Sequence, residues 1–303
     1  MRFWKPKAYV IIEFSGREQA FDKEDKDGRM LAIDFETESN RSKEPNKGIF
    51  NLYNLAESTR RDIEQNATGI RCYAGYDDNV KLIFSGDVVY VRSPREGAEY
   101  VTQIQAGDGY KAFTKSVTSK TYASGTDKQI IIDQMAKDMG LVTKMAKDTI
   151  MGVTTGATTF DGRTKDTLDG LLSDNGASYS IQDREIHIAT IGKPVDNDAI
   201  VLRAETGLIE APAVTDKGIN IRAFLNPDIR PGKLIVVEAI TFQDDRTEKP
   251  AKKESKKKEA IVNPKQRFAD YNGTYIAQAV KFTGNNYTFQ EFSVGIEAIR
   301  YDS

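Results

Sequence analysis

Four aspartates, Asp161, Asp166, Asp169 and Asp174, lie close together in the sequence, and a pair of carboxylates is what glycoside hydrolysis needs. Asp166 and Asp169, however, fall on the early face of a predicted helix that begins at Thr164. Acidic side chains are favoured there because they interact with the helix dipole. The helix therefore accounts for these acids, and we assign no catalytic residue to them. A cell-wall hydrolase that uses one of Asp161, Asp166 and Asp169 remains an alternative hypothesis.

The chain has one histidine, His187, and one cysteine, Cys72. A single histidine excludes two-histidine zinc motifs within one chain, and a Ser-His-Asp triad would have to use His187 itself. His187 lies in an alternating run, 184–189, so we expect an ordinary strand residue. A single cysteine excludes an intramolecular disulfide, and Cys72 is predicted to be a small core residue.

Other motifs that bind ions or phosphates are missing or incomplete. The segment Lys23–Gly28 resembles a calcium loop, but a lysine occupies the first ligand position, where a carboxylate is needed, and Asp34 the twelfth. The glycines of Gly107-Asp108-Gly109 and of 152–162 lack the strand–helix context of a phosphate-binding loop. The sequence therefore predicts no metal, no cofactor and no nucleophile elbow.

The charge balance is close to neutral, with 43 basic and 45 acidic residues. No general attraction to nucleic acid or to an acidic membrane follows from it. The basic cluster Lys252–Lys258 contains acids and no aromatic residue for base stacking, so we expect a solvated loop. A nucleic-acid site and a contact with an acidic protein remain alternatives. The apolar runs are far shorter than the roughly 20 residues of a membrane span, and residues 1–6 do not resemble a signal peptide.

The first third of the chain shows the alternation and β-branched residues of strands. We predict a hairpin between the first two strands and a tight turn at Ser85–Gly86. A helix over 55–65 is expected to be capped by Asn54. The predicted strands cover 8–14, 29–36, 49–54, 69–76, 80–84, 87–91 and 100–107.

The middle of the chain changes to helical spacing. Thr126–Gln129 matches a capping box, and Gly140 is expected to end the helix that follows. The apolar positions of this helix are Ile131, Ile132, Met135, Ala136 and Met139. A second helix begins at Thr164, with Leu168, Leu171 and Leu172 on its apolar face. Strands over 177–181 and 185–191 are predicted to form a hairpin.

The last third returns to strands, predicted at 208–209, 218–223, 233–237, 274–282 and 287–299. Between them, residues 244–265 form a charged stretch that cannot bury enough apolar surface to offset the cost of ordering. We therefore predict three domains: an N-terminal β-barrel domain with one helix over 1–114, a small α+β module over 115–203, and a C-terminal β-barrel domain over 204–303 that carries the charged loop at 244–265.

Several segments resemble the baseplate hub proteins of contractile-tailed bacteriophages. Thr206-Gly207-Leu208-Ile209 leads to Leu225-Asn226-Pro227 and Arg230-Pro231-Gly232, and Gly273-Thr274-Tyr275 leads to a turn at Gly284-Asn285-Asn286. The segments 84–88 and 100–109 also fit the family pattern, so the resemblance covers most of 80–299. Phe282 and Asn285 stand where many relatives carry histidine and aspartate, and the stretch 244–265 is longer than usual.

The resemblance implies an α+β fold that is mainly β, with two tail-tube-like antiparallel β-barrels and a small α+β module between them. It also implies a trimer in which six barrels match a sixfold tail tube to a threefold central spike. The implied partners are the tail tube protein, the spike protein, other baseplate proteins and the tape measure protein. DNA would pass through the ring without specific binding.

The sequence thus predicts a structural virion protein of the tail baseplate, assembled in the host cytoplasm and without catalytic activity. A lumen that lets DNA slide should avoid strong positive charge, because phosphate contacts would hold it. A hub-associated cell-wall hydrolase and the spike base of a contractile secretion apparatus remain the alternatives.

Overall fold

The structure, a computed structural model, describes residues 5–21, 31–42, 44–76, 79–216, 218–238, 271–288 and 291–301. The calcium-like segment 23–28 and the charged stretch 244–265 lie outside these residues. The helices are α1 (Glu57–Asn66), α2 (Tyr110–Lys115), α3 (Lys128–Asp138) and α4 (Thr164–Ser173). None of the helices in these ranges is long and apolar enough to cross a membrane.

Nineteen strands are present in the described ranges. They are β1 (Pro6–Phe14), β2 (Arg17–Phe21), β3 (Ile33–Asn40), β4 (Lys47–Tyr53), β5 (Ala67–Tyr76), β6 (Asn79–Arg92), β7 (Arg95–Glu96), β8 (Glu99–Gly107), β9 (Val117–Tyr122), β10 (Val142–Met145), β11 (Thr158–Arg163), β12 (Ala177–Gln182), β13 (Glu185–Thr190), β14 (Ala199–Leu202), β15 (Ala213–Thr215), β16 (Gly218–Phe224), β17 (Leu234–Val237), β18 (Gly273–Asn285) and β19 (Ser293–Arg300).

One sheet of 14 strands combines both ends of the chain. Eleven of them follow the order β15-β16-β19-β18-β3-β4-β8-β6-β5-β1-β2, while β7 pairs with β8, and β17 pairs with β18 and with β14. Strand β18 is the junction: one edge pairs with β19, and the other pairs with β17 over its first residues and with β3 over its last. The mainly antiparallel β architecture is as predicted. The two separate barrels are not confirmed, because the strand pairings among the described residues close no barrel.

The larger hydrophobic cluster lies on one face of this sheet, and it combines residues of the first third with residues of the last. Alternation along the strands creates it: in β3, Ile33 and Phe35 are buried while Glu36 and Glu38 are exposed. Helix α1 adds Ile63, which is fully buried. Each such side chain stabilises the fold by roughly 1.5–3 kcal/mol, so the cluster ties the two ends of the chain together.

A smaller cluster is formed by α3, α4, β12 and β13. The residues predicted for the apolar faces of both helices are buried in it. Gly140 follows α3 with a φ of 70°, as expected for a residue that ends a helix. The hairpin of β12 and β13 is also as predicted, with Asp183 and Arg184 at its turn.

Two predicted hairpins are wrong. Strand β1 pairs with β2 and β5, and β3 pairs instead with β4 and β18. At Ser85–Gly86 the chain does not turn, because β6 continues from Asn79 to Arg92. A Cβ on Gly86 would lie 2.9 Å from the backbone of Gly107, so this glycine permits close approach of two strands.

Two predicted helix caps also differ from the structure. Asn54 has a φ of 56° and accepts a hydrogen bond from the Tyr100 amide, 3.1 Å away, so it fixes β8 and α1 begins after Ala56. At α3 the cap is Asp127, which accepts from the amide of Gln129 at 2.9 Å. The Thr126 hydroxyl donates to the carbonyl of Ala123 instead.

Candidate assembly surfaces

The four aspartates that could have formed a hydrolytic site lie near the elements of the smaller hydrophobic cluster. Asp161 lies in β11, Asp166 and Asp169 lie on α4, and Asp174 follows this helix. Asp166 and Asp174 border an open cleft of about 390 Å³. The side chain of Asp166 is 63% exposed and lies 3.5 Å from the guanidinium of Arg163. Asp166 is thus an exposed acid in the first turn of α4, where the helix dipole favours it.

His187 lies on β13 with its Nε2 3.2 Å from the carboxylate of Glu185. Burial lowers the pKa of His187, and the nearby Lys144 lowers it further. Cys72 is completely buried in β5, and burial raises the pKa of its thiol. Both residues are therefore placed as parts of strands, as predicted. In the part of the chain that the structure describes, no cluster of histidine, cysteine and acidic residues could hold a metal ion.

The face of the large sheet opposite the core carries polar side chains from both ends of the chain. We name it the polar sheet face, and it is formed by β16, β19, β18, β3, β4, β8 and β6. Successive strand registers align one row of it across all seven strands. This row runs Phe224, Ser293, Thr283, Glu36, Ile49, Gln105 and Tyr90.

Basic and acidic side chains are interspersed on the polar sheet face. Lys281 forms an ion pair with Glu36 at 2.7 Å. The other charged side chains here include Arg222, Lys47, Arg92, Asp34, Glu38, Asp87 and Glu297, so acidic groups offset the basic ones. A face of this kind presents no continuous positive stripe to a polyanion.

Hydrogen bonds between neighbouring strands fix one end of this face. Arg92 donates to Gln103 at 2.9 Å, and Gln103 donates to Asn51 at 3.2 Å. Tyr53 lies on the same strand as Asn51, and its hydroxyl donates to the carboxylate of Asp34 on the next strand, β3, at 2.5 Å. Burial and this carboxylate raise the pKa of Tyr53, so the hydroxyl keeps its proton. The end of the face is therefore a rigid, hydrogen-bonded surface.

An apolar groove of about 490 Å³ adjoins the polar sheet face, beside α2. Its lining includes Ile49, Val89, Tyr110 and Phe113. Ile49, Val89 and Tyr110 are large hydrophobic residues that remain exposed. Exposed apolar surface of this kind is typical of sites that contact other proteins.

The main path of the large sheet ends at β2 and β15, each of which pairs on one side only among the described strands; β14 and β7 are further edges off this path. All three residues of β15 are exposed, and Val214 is 58% exposed. In β2, Arg17 forms an ion pair with Asp62, and Glu18 forms one with Arg71, both within the same chain. Unpaired backbone groups at such edges can pair with a strand of another chain.

The turn of the β12–β13 hairpin contacts both ends of the chain through polar groups. The buried carboxylate of Asp108, at the end of β8, accepts the amides of Asp183 at 2.6 Å and Arg184 at 3.0 Å. Arg230, from the last third, lies 3.3 Å from the carboxylate of Asp183. We name this group the turn junction. Sequence reasoning placed Asp108 only in a glycine-rich loop, and the sole signal for its role was an acid between two glycines.

Comparison with known proteins identifies the family of the chain. A family model described as baseplate hub gp41 matches residues 49–241, which is well over half of the chain. None of the curated protein sequences matches the chain at a significant level.

Solved structures with a similar fold come from phage tails and a secretion system. A 43 kDa tail protein of prophage MuSo2 from Shewanella oneidensis has a TM-score of 0.61 at 9% identity, covering 97% of this chain and 98% of that one. A tail protein from Neisseria meningitidis has a TM-score of 0.54 at 10% identity, covering 98% and 97%. An Escherichia coli component of the type VI secretion system, described as similar to the phage T4 tail proteins gp27 and gp5, has a TM-score of 0.55 at 11% identity, covering 90% and 74%.

Proposed function

Because the chain belongs to the baseplate hub gp41 family, we propose that three copies of it form a ring that connects a sixfold tail tube to a threefold central spike. The family places the protein in the phage tail as a structural component. The observation that carries the proposal is the single sheet that combines both ends of the chain and has unpaired edges at β2 and β15.

In this proposal, each copy supplies two sheet segments, one from β1–β8 and one from β14–β19, joined where β3 pairs with β18. Three copies then supply six segments, in place of the two closed barrels expected from the sequence. The contact between the β2 edge and the β15 edge is heterologous, because the two edges differ. A heterologous contact repeated by a fixed rotation closes into a ring when that rotation is one third of a full turn, as proposed here for three copies.

The polar sheet face lines the channel of the proposed ring, and DNA passes along it during ejection. Its balanced charges support this role, since a polyanion held by many lysine and arginine contacts would not slide. Pairing of Lys281 with Glu36 further reduces the positive charge available to phosphates.

The proposed partners are the tail tube protein, the central spike protein, other baseplate proteins and the tape measure protein. The chain assembles in the host cytoplasm and stays in the virion as part of the baseplate. It performs no catalysis in this proposal. The division into residues 1–114, 115–203 and 204–303 is retained, and the separate hydrophobic cluster within 131–188 supports the middle unit.

A second candidate is the spike base of a contractile secretion apparatus. The similarity to the Escherichia coli type VI secretion component, at a TM-score of 0.55, favours it. Neighbouring genes distinguish the two: capsid and terminase genes indicate a phage, whereas a secretion ATPase gene indicates a secretion system.

Particle imaging of the purified chain, alone and with its tube and spike proteins, tests the proposal. We expect a threefold ring with six sheet segments around a channel. A chain that stays monomeric and binds neither protein contradicts it.

A further inference from the structure

The smaller hydrophobic cluster is joined to the large sheet mainly by polar contacts at the turn junction. The two clusters share no residue. At the turn, Asn46 donates to the carbonyl of Ile181 at 2.6 Å, and Gln182 donates to the carbonyl of Pro231 at 3.4 Å. Arg184 forms an ion pair with Glu13 of β1 at 2.6 Å. The position of the hairpin therefore depends on charged and polar groups.

Asp108 is the most deeply buried of the ionisable groups at this junction, with 2% of its surface exposed. Its carboxylate accepts the two turn amides and the side-chain amide of Asn46, and its own amide donates to the carbonyl of Asn46 at 2.9 Å. All of its direct partners are neutral, so no cation offsets a negative charge at this position.

Asp183 brings a second carboxyl group to the same site. Its counter-ion is Arg230, whose guanidinium also donates to the carbonyl of Ile83 at 2.9 Å. The site thus holds two carboxyl groups and one directly facing cation. The other charged or titratable groups around it are Glu13, Arg71, Lys144, Arg184, Glu185 and His187.

We propose that Asp108 and Asp183 form a proton-dependent latch, which holds the β12–β13 hairpin against the large sheet while one of them is protonated and loosens when both are ionised. The driving force is the burial of two carboxylates, to which their mutual repulsion adds, while only Asp183 faces a guanidinium. The latch concerns this chain alone and does not depend on the proposed ring.

The electrostatics of the site agree with this direction. Burial, and then the charge of Asp183, raise the pKa of Asp108 to about 7, although its three donors oppose the shift. Burial also raises the pKa of Asp183, against the effect of Arg230. A pKa raised in the closed state stabilises that state fully below pH 4, and this stabilisation is lost as the pH rises through about 7.

Hydrogen exchange at the amides of Asp183 and Arg184 in the full chain tests the latch. After division by the intrinsic exchange rate at each pH, the opening constant should rise about 100-fold between pH 5 and pH 8.5, mostly below pH 7. Asp108→Asn should remove most of this rise. Asp148→Asn, at an exposed position outside the junction, is the matched control and should keep it.

An opening constant that is flat or falls between pH 5 and pH 8.5 overturns the proposal, as does a full rise in Asp108→Asn. If Asp108→Asn does not fold, Asp183→Asn tests the latch instead. Removing the charge of Asp183 should make the opening constant level off at a lower pH. If the pH at which it levels off does not change, the latch is contradicted.

Discussion

The guanidinium of Arg230 donates a hydrogen bond to the backbone carbonyl of Ile83 at 2.9 Å, although 147 positions separate the two residues. The same side chain also donates to the carbonyl of Leu82 and faces Asp183. One arginine from the last third of the chain thus contacts a strand of the first third and the turn of the middle hairpin.

Replacing Arg230 should therefore destabilise the whole chain. In Arg230→Met, two backbone carbonyls and the carboxylate of Asp183 lose a charged donor, and the free energy of unfolding should fall by about 2 kcal/mol. Urea denaturation measures this. Arg61→Met is the control, because Arg61 forms only an exposed pair within α1 and should change stability by less than about 0.5 kcal/mol. Equal effects of the two variants contradict the role given to Arg230.

Two glycines should respond to alanine in opposite directions. In Gly86→Ala the new Cβ meets the backbone of Gly107 at 2.9 Å, so we expect a loss of about 2 kcal/mol. In Gly170→Ala, inside α4, the Cβ enters open space, so a gain of about 0.5–1 kcal/mol is expected. Thermal unfolding of both variants measures these changes. If Gly86→Ala is as stable as the unmodified chain, β6 and β8 do not approach each other this closely.

Lys120 should stabilise the chain at neutral pH through Asp138, and acid should remove this stabilisation. Burial tends to raise the pKa of Asp138, but hydrogen bonds from Lys120, Gln134 and Thr118 outweigh it and lower this pKa. The resulting stabilisation is present above the ordinary pKa of about 4 and is lost as the pH falls through the lowered value.

Lys120→Met should therefore raise the pKa of Asp138, as followed by NMR titration, and reduce stability at pH 7 more than at pH 3. Lys137→Met provides a control at an exposed lysine near the end of α3. A pKa of Asp138 that does not move in Lys120→Met contradicts the assignment.

A charge at the β15 edge should disrupt the proposed ring and leave the fold intact. Val214 is exposed in the single chain, so Val214→Lys should keep its unfolding midpoint while its association weakens at least about tenfold, equivalent to 1.4 kcal/mol. Analytical ultracentrifugation measures the association. Val117→Lys, on β9 outside the large sheet, should assemble normally, and a fully trimeric Val214→Lys excludes this edge from the interface.

A basic channel wall should retain DNA. Glu36→Lys combined with Glu38→Lys makes the polar sheet face strongly positive, so the assembled ring should bind DNA with a steep dependence on salt, whereas the unmodified ring should not. The same charge change at Glu57 and Glu64, on the exposed surface of α1, is the control. Equal DNA binding by both variants indicates that this face does not line the channel.

Local sequence patterns predicted the helices and strands of the fold better than they predicted which of them pack or pair together. The apolar spacing of 131–139 and 168–172 gave both helices of the smaller cluster and their buried faces, because helical periodicity is a property of neighbouring residues. The hairpin at Asp183–Arg184 was equally local. In contrast, Gly86 was predicted to be a turn, since the sequence does not show that the backbone of Gly107 lies against it.

The long-range relationships could not be derived from the sequence. Pairing of β3 with β18 depends on residues about 240 positions apart, and no local signal connects them. Asp108 and Arg230 each looked like part of a loop, and their roles arise only when the turn at 183–184 is placed between them. The family resemblance, by contrast, was carried by short turn motifs, and the match over residues 49–241 confirms it.

The position of β18 has a consequence for biosynthesis. Its partner β3 leaves the ribosome about 240 residues before β18 does. Until β18 emerges, the growing chain exposes an unfinished strand edge, which favours slow folding and aggregation. Variants that lack β18 should therefore be insoluble rather than yield soluble N-terminal fragments, and chaperones should retain the nascent protein until β18 has emerged.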